Sequence, residues 1–243
     1  TLIQEHHLHP LLAIVLALAC GAGLGGLMGC LIRFFALPPF LVTLAGMFLA
    51  RGLGFVLRLE SILIQHEFYV RISNFRVSPG GGMEIPATAL ILLAALVAAL
   101  YLAHWTRFGR NVYALGGSEQ SAELMGLAVG RTKIGVYALS GFCSALAGVV
   151  YTLYTFSGNP TAGTGLELDA IAAVVIGGTL LSGGVGYVAG TLVGVLIFGI
   201  IQTAITFQGT LSSWWTKIAI GLLLLLFILL QKLVHCARTE NRP

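Results

Sequence analysis

Apolar runs long enough to cross a membrane alternate with short polar intervals along almost the whole chain. Leu11–Leu31 runs 21 residues without a charge. As a helix that is about 31 Å, which matches a hydrocarbon core of about 30 Å. Similar runs cover Phe40–Leu57, Ala87–His104, Ile134–Tyr154 and Gly186–Phe207. A final one follows Trp214-Trp215, a pair suited to a membrane–water interface. Leu168–Leu181 is different: at 14 residues it would reach only about 21 Å, and it contains Gly177-Gly178. It predicts a re-entrant or broken segment, or a short crossing one. Seven membrane segments are expected, and the fold class is an all-α polytopic membrane protein.

Proline and glycine punctuate these runs. Pro38-Pro39 separates the first two spans, and Pro86 suits the first position of the third. Gly21, Gly25 and Gly29 recur every fourth residue, as do Gly186, Gly190 and Gly194; Ser140, Ser144 and Gly148 form a third small-residue row. Such rows let a neighbouring helix approach closely. Arg58–Ile85, with Pro79 and Gly80–Gly82 near its end, and Phe156–Glu167 read as polar outer intervals.

The polar interval with the clearest basic bias is Trp105–Lys133. It predicts a loop carrying a short helix over Glu119–Met125, with Ser118 placed to cap it and Gly126 to stop it. Ala122, Met125 and Leu127 could present a small apolar patch. Glu119 and Glu123 sit one turn apart and gain nothing from each other, which suits a cationic partner. A helix resting on the membrane surface and one touching a partner protein both fit these residues.

Composition agrees with the pattern. Hydrophobic residues make up 57% of the 243 and charged residues 9%, against about a quarter charged in a soluble domain. The net charge of +4 is explained by basic loops on the cytoplasmic side, and no basic stripe interleaved with aromatics suggests nucleic acid. With the central loop inside, the cytoplasmic segments hold Arg33, Arg107, Arg110, Arg131, Lys133, Lys232, Arg238 and Arg242. The outer segments hold Arg58, Arg71, Arg76 and Lys217, with Arg51 inside the membrane. The positive-inside rule favours this orientation. It requires the short Leu168–Leu181 segment to deliver the chain to the inner side.

Candidate chemistry is sparse. No Gly-Lys pair occurs, so a phosphate-binding GxxxxGK[ST] loop cannot form; HExxH, CxxC and GxSxG are also missing. No catalytic constellation, cofactor or metal centre is expected. Cys20, Cys30, Cys143 and Cys236 lack metal-type spacing, and His6, His7 and His9 read as a solvated entry segment. Arg51 suits either a wet pathway, where it would hydrogen-bond a polar solute, or a structural arginine reaching for the interface. Glu167 and Asp169 complement the positive end of the short helix, with solute contact as the other reading.

Several tracts resemble one family. Leu37–Leu44 (LPPFLVTL) with Ala50-Arg51-Gly52, and Glu167–Thr179 (ELDAIAAVVIGGT) with Gly183-Gly184-Val185-Gly186, are similar to permease subunits of bacterial ABC sugar importers, the ribose-type branch. Gln120–Gly126 (QSAELMG) is similar to that family's coupling-loop pattern Glu-Ala-Ala-x3-Gly at Ala122 and Gly126, and departs from it at the first two positions. Gly209–Lys217 (GTLSSWWTK) and Pro79–Gly82 point to the galactofuranose-importer permeases.

The resemblance implies the helical ABC-importer permease fold of about ten spans. Residues 1–243 would form a single transmembrane permease domain lacking roughly the first three spans, with a coupling loop over 105–133. It implies an inner-membrane subunit that makes the sugar pathway while cytoplasmic ATP-binding subunits hydrolyse ATP. A second permease, a periplasmic sugar-binding protein and membrane lipid are the other partners. The implied coupling residues are Gly117, Ser118, Glu119, Gln120, Ser121, Ala122, Glu123, Met125 and Gly126; the implied pathway residues are Thr43, Arg51 and Asp169. An ion-coupled secondary transporter is the alternative, though no acidic residue lies at mid-span.

Overall fold

The computed structural model describes residues 9–64, 66–78 and 84–208, together with 215, 217–218, 221–227 and 229. Five helices among them are long and apolar enough to cross a membrane. They are α1 (Pro10–Phe34), α2 (Pro39–Leu57), α4 (Ala87–Trp105), α7 (Val129–Thr155) and α9 (Val188–Gln208). Each coincides with a predicted span. Pro10 and Pro39 occupy first helical turns, where the missing N–H costs nothing. His9 caps α1 by accepting a hydrogen bond at Nδ1 from the Leu11 N–H, so this histidine has a local structural task. The expected last span is described only in part, and His6, His7, Pro79–Gly82, Cys236 and the basic tail Gln231–Pro243 lie outside the described residues.

The chain divides into two compact units. One comprises Thr1–Val112 and Gln120–Ala162, the other Tyr113–Glu119 and Gly163–Pro243. In the first, α1 packs along α7. Gly21, Gly25 and Gly29 lie against Gly141, Tyr137, Ala145 and Ile134, so close that a Cβ at Gly21 would be 2.6 Å from the Gly141 carbonyl oxygen. The predicted α1 glycine row is therefore a packing face. The row Ser140, Ser144 and Gly148 does not meet α1: these residues are exposed, and α7 turns the Ile134/Gly141 side to α1 instead. Large apolar side chains such as Leu16, Phe48, Leu92 and Val97 point outward, as lipid-facing residues do.

The interval between α2 and α4 is more ordered than its composition suggested. It contains β1 (Ile62–Leu63), α3 (Glu67–Ser73), β2 (Arg76–Val77) and β3 (Ile85–Pro86). β1 pairs antiparallel with β4 (Ser157–Gly158), which joins the two intervals expected on the outer face. β2 pairs with β3, and an Arg76–Glu84 ion pair closes that hairpin.

In the second unit, α8 (Leu166–Ile176) packs against α9. Gly177 lies on Gly190, and Gly194 lies on Ala173. Ala172, Ala173, Val175 and Ile176 are all buried, which makes α8 the most enclosed helix among the described residues. It is shorter than expected. At 11 residues it reaches about 16 Å, half of a hydrocarbon core. It stops because Gly178 adopts a left-handed φ of +87°. The Thr179 N–H then bonds the Val174 carbonyl and the Gly178 N–H the Val175 carbonyl, which satisfies the helix end. A helix this short is tolerated within a membrane where protein surrounds it, and the Ala172–Ile176 end of α8 is enclosed in that way.

Candidate functional site

The central polar interval folds into two helices, where one was expected. α5 spans Arg107–Gly117 and α6 spans Glu119–Leu124. The sequence reading missed α5 because Gly109, Gly116 and Gly117 lower helix propensity. A signal was nevertheless present: Phe108, Val112 and Leu115 recur at i, i+4 and i+7. The α4–α5 corner is fixed by Thr106, whose hydroxyl donates to the Leu102 carbonyl at 2.6 Å and accepts from the Gly109 N–H at 3.2 Å. Gly109 is buried there against the Leu102 and Ala103 carbonyls, where no side chain fits.

α6 ends as its sequence predicts, one residue earlier. Gly126 takes a φ of +75°. The Leu127 N–H bonds the Ala122 carbonyl at 3.1 Å and the Gly126 N–H bonds the Glu123 carbonyl at 2.9 Å. This double bond pattern needs a left-handed residue, for which glycine is the usual choice. Ala122 is fully buried, so it anchors the helix and is not part of an outward patch. Leu124 and Met125 carry that role, at 89% and 68% exposed. Gly117, Ser118, Glu119, Gln120, Ser121 and Glu123 are exposed beside them. The outward surface is therefore two apolar side chains ringed by carboxylates and small polar groups.

The loop after α8 folds back on the end of α5. The Tyr113 hydroxyl donates to the Gly186 carbonyl at 2.8 Å, across 73 residues of sequence. The backbone at Gly116 lies so near Gly184 that a Cβ on Gly116 would stand 2.7 Å from the Gly184 nitrogen. That loop therefore lies against the end of α5. Tyr113 and Gly116 were not among the residues singled out from sequence, and Gly183-Gly184 stood out only as part of the family tract.

The other expected site residues have simpler surroundings. Thr43 is half-buried on α2, and its hydroxyl donates within its own helix, to the Pro39 or Phe40 carbonyl at about 3.0–3.1 Å. Arg51 is half-buried on the same helix and is not without a partner. Eight residues separate the two, about 12 Å along the axis and about 80° around it, so α2 does not aim them at one point. Asp169 is half-buried in the first turn of α8. Glu167 accepts a hydrogen bond from the Gly165 N–H at 3.2 Å, the helix-start arrangement expected of it. Among the described residues no group of three or more His, Cys, Asp or Glu side chains converges on a metal-sized site.

These elements define a polytopic helical membrane protein with an exposed helix on one polar face. The model of a permease component of the branched-chain amino acid transport system matches residues 1–228, and the chain belongs to that family. It is 53% identical over 230 residues to the inner membrane ABC transporter permease protein YjfF of Escherichia coli, across 95% of this chain and 70% of that protein. Its identity to the fructose import permease protein FruG of Bifidobacterium longum is 41%, across 95% and 69% of the two chains. With the ribose import permease protein RbsC of Escherichia coli the identity is 38%, across 92% and 69%. No solved structure matches the chain. The chain is a multi-pass protein of the bacterial inner membrane and a permease subunit of an ABC importer.

Proposed function

We propose that this chain forms the translocation pathway of an ATP-driven sugar importer and takes its driving force from a separate cytoplasmic ATPase through α6. The observation that carries the coupling is the outward surface of α6. Leu124 and Met125 are exposed at the end of a helix anchored by the buried Ala122 and stopped by Gly126. Fully covering such side chains contributes about 1.5–3 kcal/mol each. Glu119 and Glu123 beside them suit a basic docking surface. The coupling set is then Gly117, Ser118, Glu119, Gln120, Ser121, Ala122, Glu123, Met125 and Gly126.

Residues 1–243 act as one permease domain made of the two units, paired with a second permease, identical or homologous. A periplasmic sugar-binding protein delivers solute to the outer intervals that β1 and β4 join. Thr43, Arg51 and Asp169 line the path. Each offers hydrogen bonds to hydroxyl groups, the recognition chemistry of a sugar. The sugar names of FruG and RbsC support the solute class, and within it the GTLSSWWTK and Pro79–Gly82 tracts favour galactofuranose. Discrimination between sugars rests mainly on the binding protein.

Affinity purification of the full-length protein from its native membrane tests this. It is expected to bring down an ATPase and a periplasmic sugar-binding protein, and Ser121→Cys or Met125→Cys is expected to crosslink to the ATPase. An assembly that imports solute yet yields no such crosslink overturns the reading.

A further inference from the structure

We propose that the loop Thr179–Tyr187 is a mechanical extension of the coupling loop, clasped to α5 so that displacement of α6 moves α8 and α9 as one body. The inference rests on the coupling role of α6.

Two kinds of contact support it, both within one compact unit. Tyr113–Glu119, the end of α5 and the first residue of α6, belongs to the same unit as α8 and α9, although α5 begins and α6 continues in the other. Gly116 and Gly117 lie backbone-to-backbone on Gly183 and Gly184. A Cβ on Gly183 would stand 2.6 Å from the Gly116 oxygen, and one on Gly184 would stand 3.0 Å from the Gly117 Cα. Gly183 and Gly184 also have φ of +89° and +79°, so both the space and the backbone there call for glycine. The Tyr113 hydroxyl adds a directional bond to Gly186.

The loop is closed by its own hydrogen bonds. Leu180 N–H bonds the Val185 carbonyl and Gly183 N–H bonds the Leu180 carbonyl, both at 3.1 Å. At its other end α8 is seated on α9 through Gly177–Gly190 and Ala173–Gly194. Only Ser118 separates Gly117 from the first residue of α6. A push on α6 thus passes through one residue of chain, a backbone contact without flexible side chains, and a closed loop into α8. Coupling of this kind requires discrete packed elements, which backbone-on-backbone contact provides better than long side chains would. Asp169, at the far end of α8, would move with it.

The test uses the assembled importer in nanodiscs, with Cys20, Cys30, Cys143 and Cys236 replaced by alanine. Gly117→Cys and Val185→Cys are treated with a short bis-methanethiosulfonate reagent; a Cβ at Gly117 meets nothing within 4 Å and Val185 is 47% exposed. The crosslink is expected to form equally without nucleotide and in the ADP–vanadate-trapped state. In the same background Leu168→Cys, exposed near the start of α8, reports movement by its rate of maleimide labelling. Trapping is expected to change that rate, and Tyr113→Phe to shrink the change by about 2- to 10-fold, the weight of one hydrogen bond. Gly116→Ala, a wedge in the contact, is expected to do the same.

Loss of the Gly117–Val185 crosslink on trapping overturns the proposal, as does a labelling change that Tyr113→Phe and Gly116→Ala leave intact. Met125→Cys separates the two levels. Its crosslink to the ATPase, with the Gly117–Val185 crosslink lost, removes the clasp alone; failure of the Met125 crosslink removes the coupling role and the clasp with it.

Discussion

The α1–α7 seam predicts a sharp contrast between two glycines on one helix, Gly21 and Gly23. Both lie inside α1, so replacing either by alanine gains the same helix propensity, up to about 1 kcal/mol. Their surroundings differ completely. A Cβ at Gly21 meets the Gly141 carbonyl oxygen at 2.6 Å and the Ala145 Cβ at 2.5 Å, whereas one at Gly23 meets nothing within 4 Å. Restoring ordinary contact at Gly21 requires α1 and α7 to separate by roughly 0.8 Å, and neither partner is a flexible side-chain tip. Overpacking of this kind costs about 1–3 kcal/mol. Because the propensity gain cancels between the two variants, Gly21→Ala should be less stable than Gly23→Ala by that same amount, about 1–3 kcal/mol. Reversible unfolding of the purified protein in mixed detergent and SDS micelles, followed by circular dichroism, measures the difference. Equal midpoints for the two variants would refute the close packing of α1 on α7.

Other consequences follow from the site. Arg51→Leu should slow solute flux while the importer still assembles, read by uptake into proteoliposomes alongside subunit co-elution; unaltered flux would return Arg51 to a structural role. Gly126→Asp forces a side chain into a backbone with φ +75° and should uncouple transport from ATP hydrolysis, as should joint charge reversal at Glu119 and Glu123. Normal ATPase binding together with normal uptake per ATP in those variants would count against α6 as the contact. Glu84→Ala removes an exposed ion pair with Arg76 and should change stability by less than about 1 kcal/mol, because solvent screens both partners. A larger shift in the unfolding midpoint would mean that the β2–β3 hairpin has a further structural role.

The long spans were legible because a run of about 20 apolar residues in a bilayer has few other folds open to it. Gly126 was legible for a local reason: a helix that must stop within one turn needs a left-handed residue. The small-residue rows were harder. Gly21–Gly29 and Gly186–Gly194 do pack as their spacing suggests, but Ser140, Ser144 and Gly148 face outward, since spacing shows that a close approach is possible and not which face is used. α5 was hidden by its own glycines: Gly109 serves the α4–α5 corner, and Gly116 serves a contact distant in sequence, at Gly184. Tyr113 was passed over for the same reason: its partner, Gly186, lies 73 residues away and is a backbone carbonyl that leaves no mark in the side-chain pattern. The extent of α8 was misjudged because the apolar run continues past Gly178, where backbone geometry ends the helix.

The central claim is that this chain makes no bond itself and moves solute with work done on a neighbouring subunit. The measurement closest to it is uptake of labelled sugar from a panel of pentoses and hexoses, in furanose and pyranose forms. The vesicles would contain the purified importer and its binding protein, with ATP either enclosed or omitted. Uptake is expected to require enclosed ATP and to survive an uncoupler that collapses every ion gradient. Uptake that persists without ATP and vanishes with the uncoupler would contradict the account.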